Sequence, residues 1–332
     1  MKQRIRKILA LCGMCVLALG VVTGCGASNT ENSTSSTTEE STGEAAKEAQ
    51  GESSYRDTID QLVVCYLPNE ASDEYAEERS QLQSDLSEAL GIKVSEVNAS
   101  DYNAVVEAMR TGKADLAFYG PVSYVQASER ANAEVLVVPA KEGKKENAGY
   151  TSQIIVRADS DIQTLEDLRG KSFAFVDPSS TSGNYVPTLE FMNAIDGITN
   201  DDLHTNGGFF ESVIFSGRHQ NGLQSVLNGD IDAAPIASDI LRSEITAGRV
   251  KQEDIRIIHE SSVIPASPFA IRGDLPDDLK NAVKEFLLGY DNEQYFINML
   301  GAEEGDGTRF VEASDSDYDY VRELMEKVIP QE

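Results

Sequence analysis

The sequence predicts an α/β protein with mainly parallel sheets. Three observations carry that expectation. Short apolar runs of strand length alternate with stripes of helical period from about residue 60 onward. Gly residues repeatedly stand where those helical stripes stop. The chain has 332 residues with 40% hydrophobic and 25% charged side chains, an ordinary globular composition with room for two domains or lobes.

The first 24 residues read as an address. Lys2, Arg4, Arg6 and Lys7 give a positive start, and Ile8 to Val22 is an apolar core too short for a comfortable membrane span. Val22-Thr23-Gly24-Cys25 follows and resembles the bacterial lipobox, which implies cleavage before Cys25 and its lipidation. Cys12 and Cys15 spell a CxxC, but they lie inside the apolar core and leave with it. Residues 25–54 are rich in Ser, Thr, Glu and Gly and poor in large apolar side chains. Such a stretch cannot bury enough surface to offset its chain entropy, so it is expected to be a flexible tether. Cys65 lies in the apolar run Leu62-Val63-Val64-Cys65-Tyr66 and is expected to be a buried small hydrophobe.

The folded part is expected from Tyr55 onward. Leu62 to Leu67 reads as a buried strand. Ser72 to Leu90 reads as a helix, with Leu82, Leu86 and Leu90 on one stripe and Gly91 at its end. Ser100 is the expected cap of a helix through Arg110, with Val105, Val106 and Met109 inward and Gly112 as the stop. Ala114 to Phe118 is a short strand, and Gly120-Pro121 opens another helix. Glu134 to Pro139, Ser152 to Val156 and Phe173 to Val176 are further strands, and Thr164 caps a short helix ending near Gly170. Val186, Leu189 and Met192 mark a helix after residue 184, its start expected to be delayed by Pro187. The pattern Val105-Val106-x-x-Met109, Gly112, Asp115, Ala117 echoes Leu223-x-x-Val226-Leu227, Gly229, Asp232, Ala234, as two lobes of similar build would.

Charge narrows the function classes. There are 28 Lys and Arg against 56 Asp and Glu, a net charge of −28. Nucleic-acid binding needs a basic surface that displaces counterions, and attraction to anionic lipid needs the same. A small anion is not excluded, because one local site can oppose the global field.

The densest polar feature is Asp177-Pro178-Ser179-Ser180-Thr181-Ser182-Gly183-Asn184, between a strand and a helix. Hydroxyls and free backbone N–H groups at a helix start make an anion site, although a Ser-rich turn with one cap has the same spelling. His219, in Phe215-Ser-Gly-Arg-His219, stands at the start of the next helical stripe, where an imidazole can donate to an anion.

Six segments then occur in one order: Tyr119-Gly-Pro-Val-Ser-Tyr124-Val, Gly149-Tyr150-Thr-Ser-Gln-Ile-Ile-Val-Arg157, the stretch Asp177 to Pro187, Ser216-Gly-Arg-His219, Asn228-Gly-Asp-Ile-Asp232-Ala-Ala and Ile264-Pro-Ala-Ser-Pro268. Together they resemble the phosphate, phosphite and phosphonate-binding subunits of ABC importers, over about Gln61 to Glu332. The resemblance implies a type II periplasmic-binding-protein fold: two α/β lobes with a hinge and an interlobe ligand cleft. It places the first lobe at 55–150 plus 270–332 and the second at 151–269. It implies Ser180, Thr181 and Ser182 as the anion cradle and His219 as a donor to the same oxygens. Tyr150 and Tyr102 would reach across the cleft, with Tyr119 and Tyr66 as weaker lining residues. Asp239 lies where aminoalkyl-phosphonate binders hold the amine, but Ser267 stands where a companion acid is expected. The implied partners are a small phosphorus oxyanion and the permease and ATPase of an importer, with the membrane reached through Cys25. No cofactor, metal or nucleic acid is implied, the protein is expected to be monomeric, and the long tether suits a Gram-positive cell surface.

Other functions spell differently. A Ser180 or Ser182, His219 and Asp239 hydrolase would be expected to show a GxSxG elbow, which is absent. His259-Glu-Ser-Ser-Val lacks the second His of a zinc motif, and Asp315-Ser-Asp-Tyr-Asp319 lacks the Gly of a calcium loop, with Tyr320 in its place. That acidic run reads as the start of a final amphipathic helix (Val321, Leu324, Met325, Val328). A membrane-tethered sensor for another small anion shares the tether and the anchor, and remains open at this point.

Overall fold

The computed structural model describes residues 54–329, so the expected signal segment and nearly all of the tether, including Cys25, lie outside the described residues. Among the described residues eleven strands form two sheets. The first holds β1 (Gln61–Tyr66), β2 (Lys93–Asn98), β3 (Leu116–Phe118), β4 (Ala133–Ala140), β10 (Phe269–Arg272) and β11 (Arg309–Glu312), in the order β11-β4-β10-β3-β1-β2. The second holds β5 (Ser152–Arg157), β6 (Ser172–Phe175), β7 (Ser212–Phe215), β8 (Ala233–Ala237) and β9 (Ile255–Glu260), in the order β7-β6-β8-β5-β9.

The sheets are mixed, which corrects the expectation of mainly parallel pairing. β1 runs parallel to β2 and β3, and β6 parallel to β7 and β8. β10 is antiparallel to β3 and β4, β11 to β4, and β5 to β8 and β9. The physical reason is the route of the chain. It leaves the first sheet after β4 and returns at β10, so β5 and β10 each enter a sheet from the side where its parallel strands end. The two crossing segments pair with each other: Tyr150 N–H donates to Ile264 O at 3.1 Å, and Ile264 N–H to Tyr150 O at 2.7 Å.

Strand alternation divides β1 between two cores. Leu62, Val64 and Tyr66 face one cluster with Leu82, Leu86 and Leu90 of α1 (Ala76–Leu90). Cys65 faces the other, fully buried, and burial pushes its thiol up to about 11. The regular part of α1 starts later than expected, because a 3₁₀ turn over Asp73–Tyr75 takes the Ser72 cap. α2 (Tyr102–Arg110) is capped by Asp101, not Ser100; the Asp101 carboxylate accepts from Ala104 N–H at 2.8 Å, and Ser100 Oγ donates to Asp101 instead. α3 (Pro121–Ala131) begins at the expected Gly-Pro.

In the second sheet Phe173, Phe175, Phe191, Phe209 and Phe210 form an aromatic core. The expected helix after residue 184 is α4 (Val186–Ala194), reached through a π-helical turn over Thr181–Tyr185. Pro187 sits in the first turn of α4, where its missing N–H costs nothing. The helix expected after Thr164 is only a 3₁₀ turn over Glu166–Leu168. α5 (Asn200–His204), α6 (His219–Asn228) and α7 (Ser238–Thr246) complete this half. α8 (Asp277–Gly289), α9 (Glu293–Leu300) and α10 (Asp319–Val328) return to the first. The internal echo is structural: α2 leads through Gly112 to β3 as α6 leads through Gly229 to β8, and both glycines have positive φ.

Candidate functional site

The parallel strands of both sheets end at one cleft, and the loops beyond them carry the polar residues. This is where open α/β sheets place ligands. A cavity of about 30 Å³ lies there, lined among others by Asn69, Glu70, Tyr102, Tyr150, Ser180, Thr181, Ser182, His219, Asp239 and Ser267. That is room for two or three water-sized groups. An adjoining cavity of about 170 Å³ shares Phe118, Tyr150, Asp239, Ser267 and Leu300 with it. No Lys or Arg lines the smaller cavity.

The Ser-rich turn is built by its neighbours. Ser180 Oγ accepts from Gly183 N–H at 3.0 Å, and Gly183 O accepts from Val176 N–H at 3.0 Å. A Cβ on Gly183 would stand 2.4 Å from Val176 Cβ, so only glycine lets the turn fold back onto β6. Ser152 Oγ of β5 donates to Ser182 O at 2.7 Å. The turn therefore presents three buried hydroxyls at a helix start.

The first sheet's half closes over it. Thr181 Oγ1 accepts from Val122 N–H in the first turn of α3 at 2.8 Å. Asp177 Oδ1 accepts from Ser179 N–H at 2.8 Å, while its Oδ2 faces Tyr102 N–H at the start of α2 at 3.4 Å. Tyr102 Oη accepts from Asn69 Nδ2 at 2.5 Å and also meets the Ser180 hydroxyl. Asn69 Oδ1 accepts from His219 N–H at 3.0 Å. The Tyr150 hydroxyl lies among Thr181, Ser182 and Ser267. The first turns of α2, α3, α6 and α7 and the start of the π-helical turn thus meet at one place, and their partial positive charges favour an anion.

His219 is neutral. Its Nδ1 lies 3.3 Å from Pro235 O, which can only accept, so Nδ1 carries the proton. Nε2 then accepts from Ser182 Oγ at 3.3 Å, so here the imidazole turns an acceptor to the cavity rather than the donor expected of His219, because its one N–H is spent on the Pro235 carbonyl. Burial holds the imidazole pKa down to about 4, against the opposing pull of the Pro235 carbonyl. Burial raises Asp239 and Asp177 above the ordinary carboxyl range, and Glu70 up to about 8.

Of the residues expected from sequence, Ser180, Thr181, Ser182, His219, Tyr150, Tyr102 and Asp239 are brought together around the cavity. Tyr66 and Tyr119 are not. Tyr66 points with Leu62 and Val64 into the core behind β1. Tyr119 is fully buried, its hydroxyl on Met109 Sδ at 3.6 Å. Sequence reasoning missed Asn69 and Glu70; the one available signal was their place just after a strand.

Residues 64–318 match the family model described as ABC transporter, phosphonate, periplasmic substrate-binding protein. The chain is 30% identical over 337 residues to the phosphate-import protein PhnD of Mycolicibacterium smegmatis, covering 98% of this chain and 97% of that protein. It is 32% identical over 225 residues to the phosphonates-binding periplasmic protein of Escherichia coli, covering 65% and 63%. The structure of PhnD1 from Prochlorococcus marinus in complex with methylphosphonate superposes with a TM-score of 0.68 at 20% identity, covering 81% and 98%, a likeness of fold. With more than half of its length matched, the chain belongs to the phosphonate family of periplasmic substrate-binding proteins of ABC transporters.

Proposed function

We propose that this protein captures a phosphorus oxyanion (phosphonate, phosphite or phosphate) between its lobes and delivers it to an ABC permease. The observation that carries the reading is the Ser180-Thr181-Ser182 turn, which lines a cavity of about 30 Å³ and is bonded through Thr181 to the first turn of α3. Tetrahedral oxygens match converging hydroxyl and amide donors, and a closed cavity strengthens each bond to an anion. The relatives named above for phosphate import and phosphonate binding support the same class. The adjoining cavity of about 170 Å³ gives a substituent on phosphorus somewhere to go.

In this reading Ser180, Thr181, Ser182, Tyr150 and Tyr102 contact the ligand, and His219 does so once its proton moves from Nδ1 to Nε2. The lobes are 55–150 plus 270–332 and 151–269, hinged on the paired crossings at Tyr150 and Ile264. The receptor works as a monomer anchored through lipidated Cys25, on a tether of residues 25–54, outside the cytoplasmic membrane. It does not turn its ligand over. A hydrolase would need a carboxylate on the far nitrogen of His219; Nδ1 meets the Pro235 carbonyl instead, and Asp239 Oδ1 accepts from Ile240 N–H.

A thermal-shift screen of residues 26–332 tests this with phosphite, phosphate, methylphosphonate, ethylphosphonate and 2-aminoethylphosphonate, with sulfate as control. A tight ligand stabilises by RT ln(1 + [L]/Kd), so a rise with one or two phosphorus anions is expected. No rise with any of them removes the reading.

A further inference from the structure

Glu70 follows β1 and is 8% exposed. It stands in the wall of the same small cavity as Ser180, Thr181, Ser182 and His219. One carboxyl oxygen, Oε2, is buried with no hydrogen-bond partner. The cation nearest to it is engaged elsewhere: Arg79 of α1 gives Nη1 to the carbonyls of Glu70 and Ser72 at 2.6 Å each, and Nε to the Glu96 carboxylate at 3.0 Å. The other groups that face Glu70 are Asp239 from α7, Tyr102 from α2, Tyr295 from α9, Tyr66 from β1 and the neutral His219 from α6. None of them offers a positive charge.

We propose that Glu70 is a ligand-contacting residue of the cleft and that it holds the oxyanion as a neutral carboxylic acid, donating its proton to a phosphoryl oxygen. The inference rests on the reading of the cleft as an anion site. Glu70 shares the wall of this cavity of about 30 Å³ with Ser180, Thr181 and Ser182, so an ion seated on their hydroxyls lies beside it. An ionised carboxylate there would repel it, and a protonated one becomes a donor. Burial, with Asp239 adding to it, already holds the Glu70 carboxyl up to about 8. The acid thereby adds a donor to the hydroxyls of a cavity wall that has no Lys or Arg.

The sign follows from linkage. Below about pH 8 the proton is present before the ligand arrives; above it, binding must take one up. Calorimetry with methylphosphonate between pH 6 and 9, in two buffers of different ionisation enthalpy, reads both affinity and proton uptake. In the wild-type protein, Glu70 should lower affinity by about tenfold per pH unit above pH 8 and add about one proton of uptake. Glu70→Gln keeps a donor that cannot ionise. It should bind within about threefold of wild type at pH 6.5 and lose that part of the slope. The ligand's own titration is common to both proteins and cancels. Equal slopes in the two proteins would overturn the proposal. So would a variant that binds methylphosphonate like wild type at every pH but loses 2-aminoethylphosphonate, since Glu70 would then be a carboxylate for an ammonium group. If Glu70→Gln does not fold, Glu70→Ala takes its place in the same two-buffer comparison, where the ligand's titration again cancels: a loss of about one proton of uptake at pH 9 relative to wild type supports the donor, and equal uptake overturns it. Failure of the wild type to bind methylphosphonate, phosphate or phosphite at pH 6.5 would instead overturn the anion-site reading itself, and this inference with it.

Discussion

Thr181 and Val122 stand on opposite sides of the cleft, and the Thr181 hydroxyl oxygen takes the Val122 amide proton at 2.8 Å. The hydroxyl proton can turn to a ligand or to the Tyr150 oxygen beside it. Thr181→Val keeps the shape and removes both functions. It strands a buried N–H, at about 1–3 kcal/mol, and removes a charge-assisted bond to the anion. Ligand affinity should fall at least tenfold by calorimetry, while Thr181→Ser stays within about threefold. Unchanged affinity in Thr181→Val would take this residue out of the site.

His219 gives a second prediction, in two parts. His219→Ala should weaken ligand binding at least tenfold. In the unliganded protein, the imidazole pKa is about 4 when folded against 6.5 for the free group. The unfolded chain therefore binds the extra proton between pH 6.5 and 4. Stability attributable to this group is present above pH 6.5 and lost as the pH falls to about 4, by up to roughly 3 kcal/mol. Denaturant melts of His219→Gln should show a shallower loss of stability over that window than wild type. Parallel curves would mean that His219 is not buried neutral.

Closure away from the ligand supplies a third. Tyr75 Oη donates to Glu244 Oε1 at 3.0 Å across the cleft, and Glu244 is itself held by Arg249 at 2.9 Å. Tyr75→Phe leaves the Glu244–Arg249 pair intact and removes one of the links between lobes, the hydroxyl that also meets Gln220 and Arg249. The expected result is a several-fold faster ligand off-rate in stopped flow, with little change in on-rate. A change confined to the on-rate would contradict a closing role.

Gly301 supplies a fourth. It ends α9 with φ +66, and a Cβ there would stand 2.1 Å from the Asp239 carbonyl oxygen. Arg242 Nε seals the same contact by donating to Gly301 O at 2.6 Å. Gly301→Ala should keep the lobes from meeting fully. Affinity should drop at least tenfold, with a loss of only about 1 kcal/mol in unliganded stability from the left-handed cap. Small-angle scattering with ligand would then show less compaction than wild type; full compaction would refute the steric stop.

Much of the site could be read from the chain, because its parts are local. The Ser180–Gly183 run sits between an apolar strand and a helix, and His219 stands at the start of a helical stripe. Tyr66 was misread as a lining residue although its alternation with Leu62 and Val64 already pointed it into the core. Asn69 and Glu70 were not legible. Their loop has no signature, and their importance comes from the approach of residues such as His219, 150 positions away. The antiparallel entry of β5 and β10 was hidden for a similar reason: periodicity reports which face of a strand is buried, not the direction in which it joins a sheet.

A ligand seat whose wall has no Lys or Arg, inside a molecule of net charge −28, has an unusual dependence on ionic strength. Added salt cannot weaken a fixed cation in the wall of the seat, since there is none to screen. Outside, the acidic surface repels an arriving anion, and that repulsion is damped once the Debye length shrinks to about 8 Å near 0.15 M. Capture should therefore quicken as salt rises while the escape rate stays nearly constant. The receptor would hold its cargo more tightly in brackish surroundings than in dilute ones, the reverse of what a lysine-lined anion trap would do.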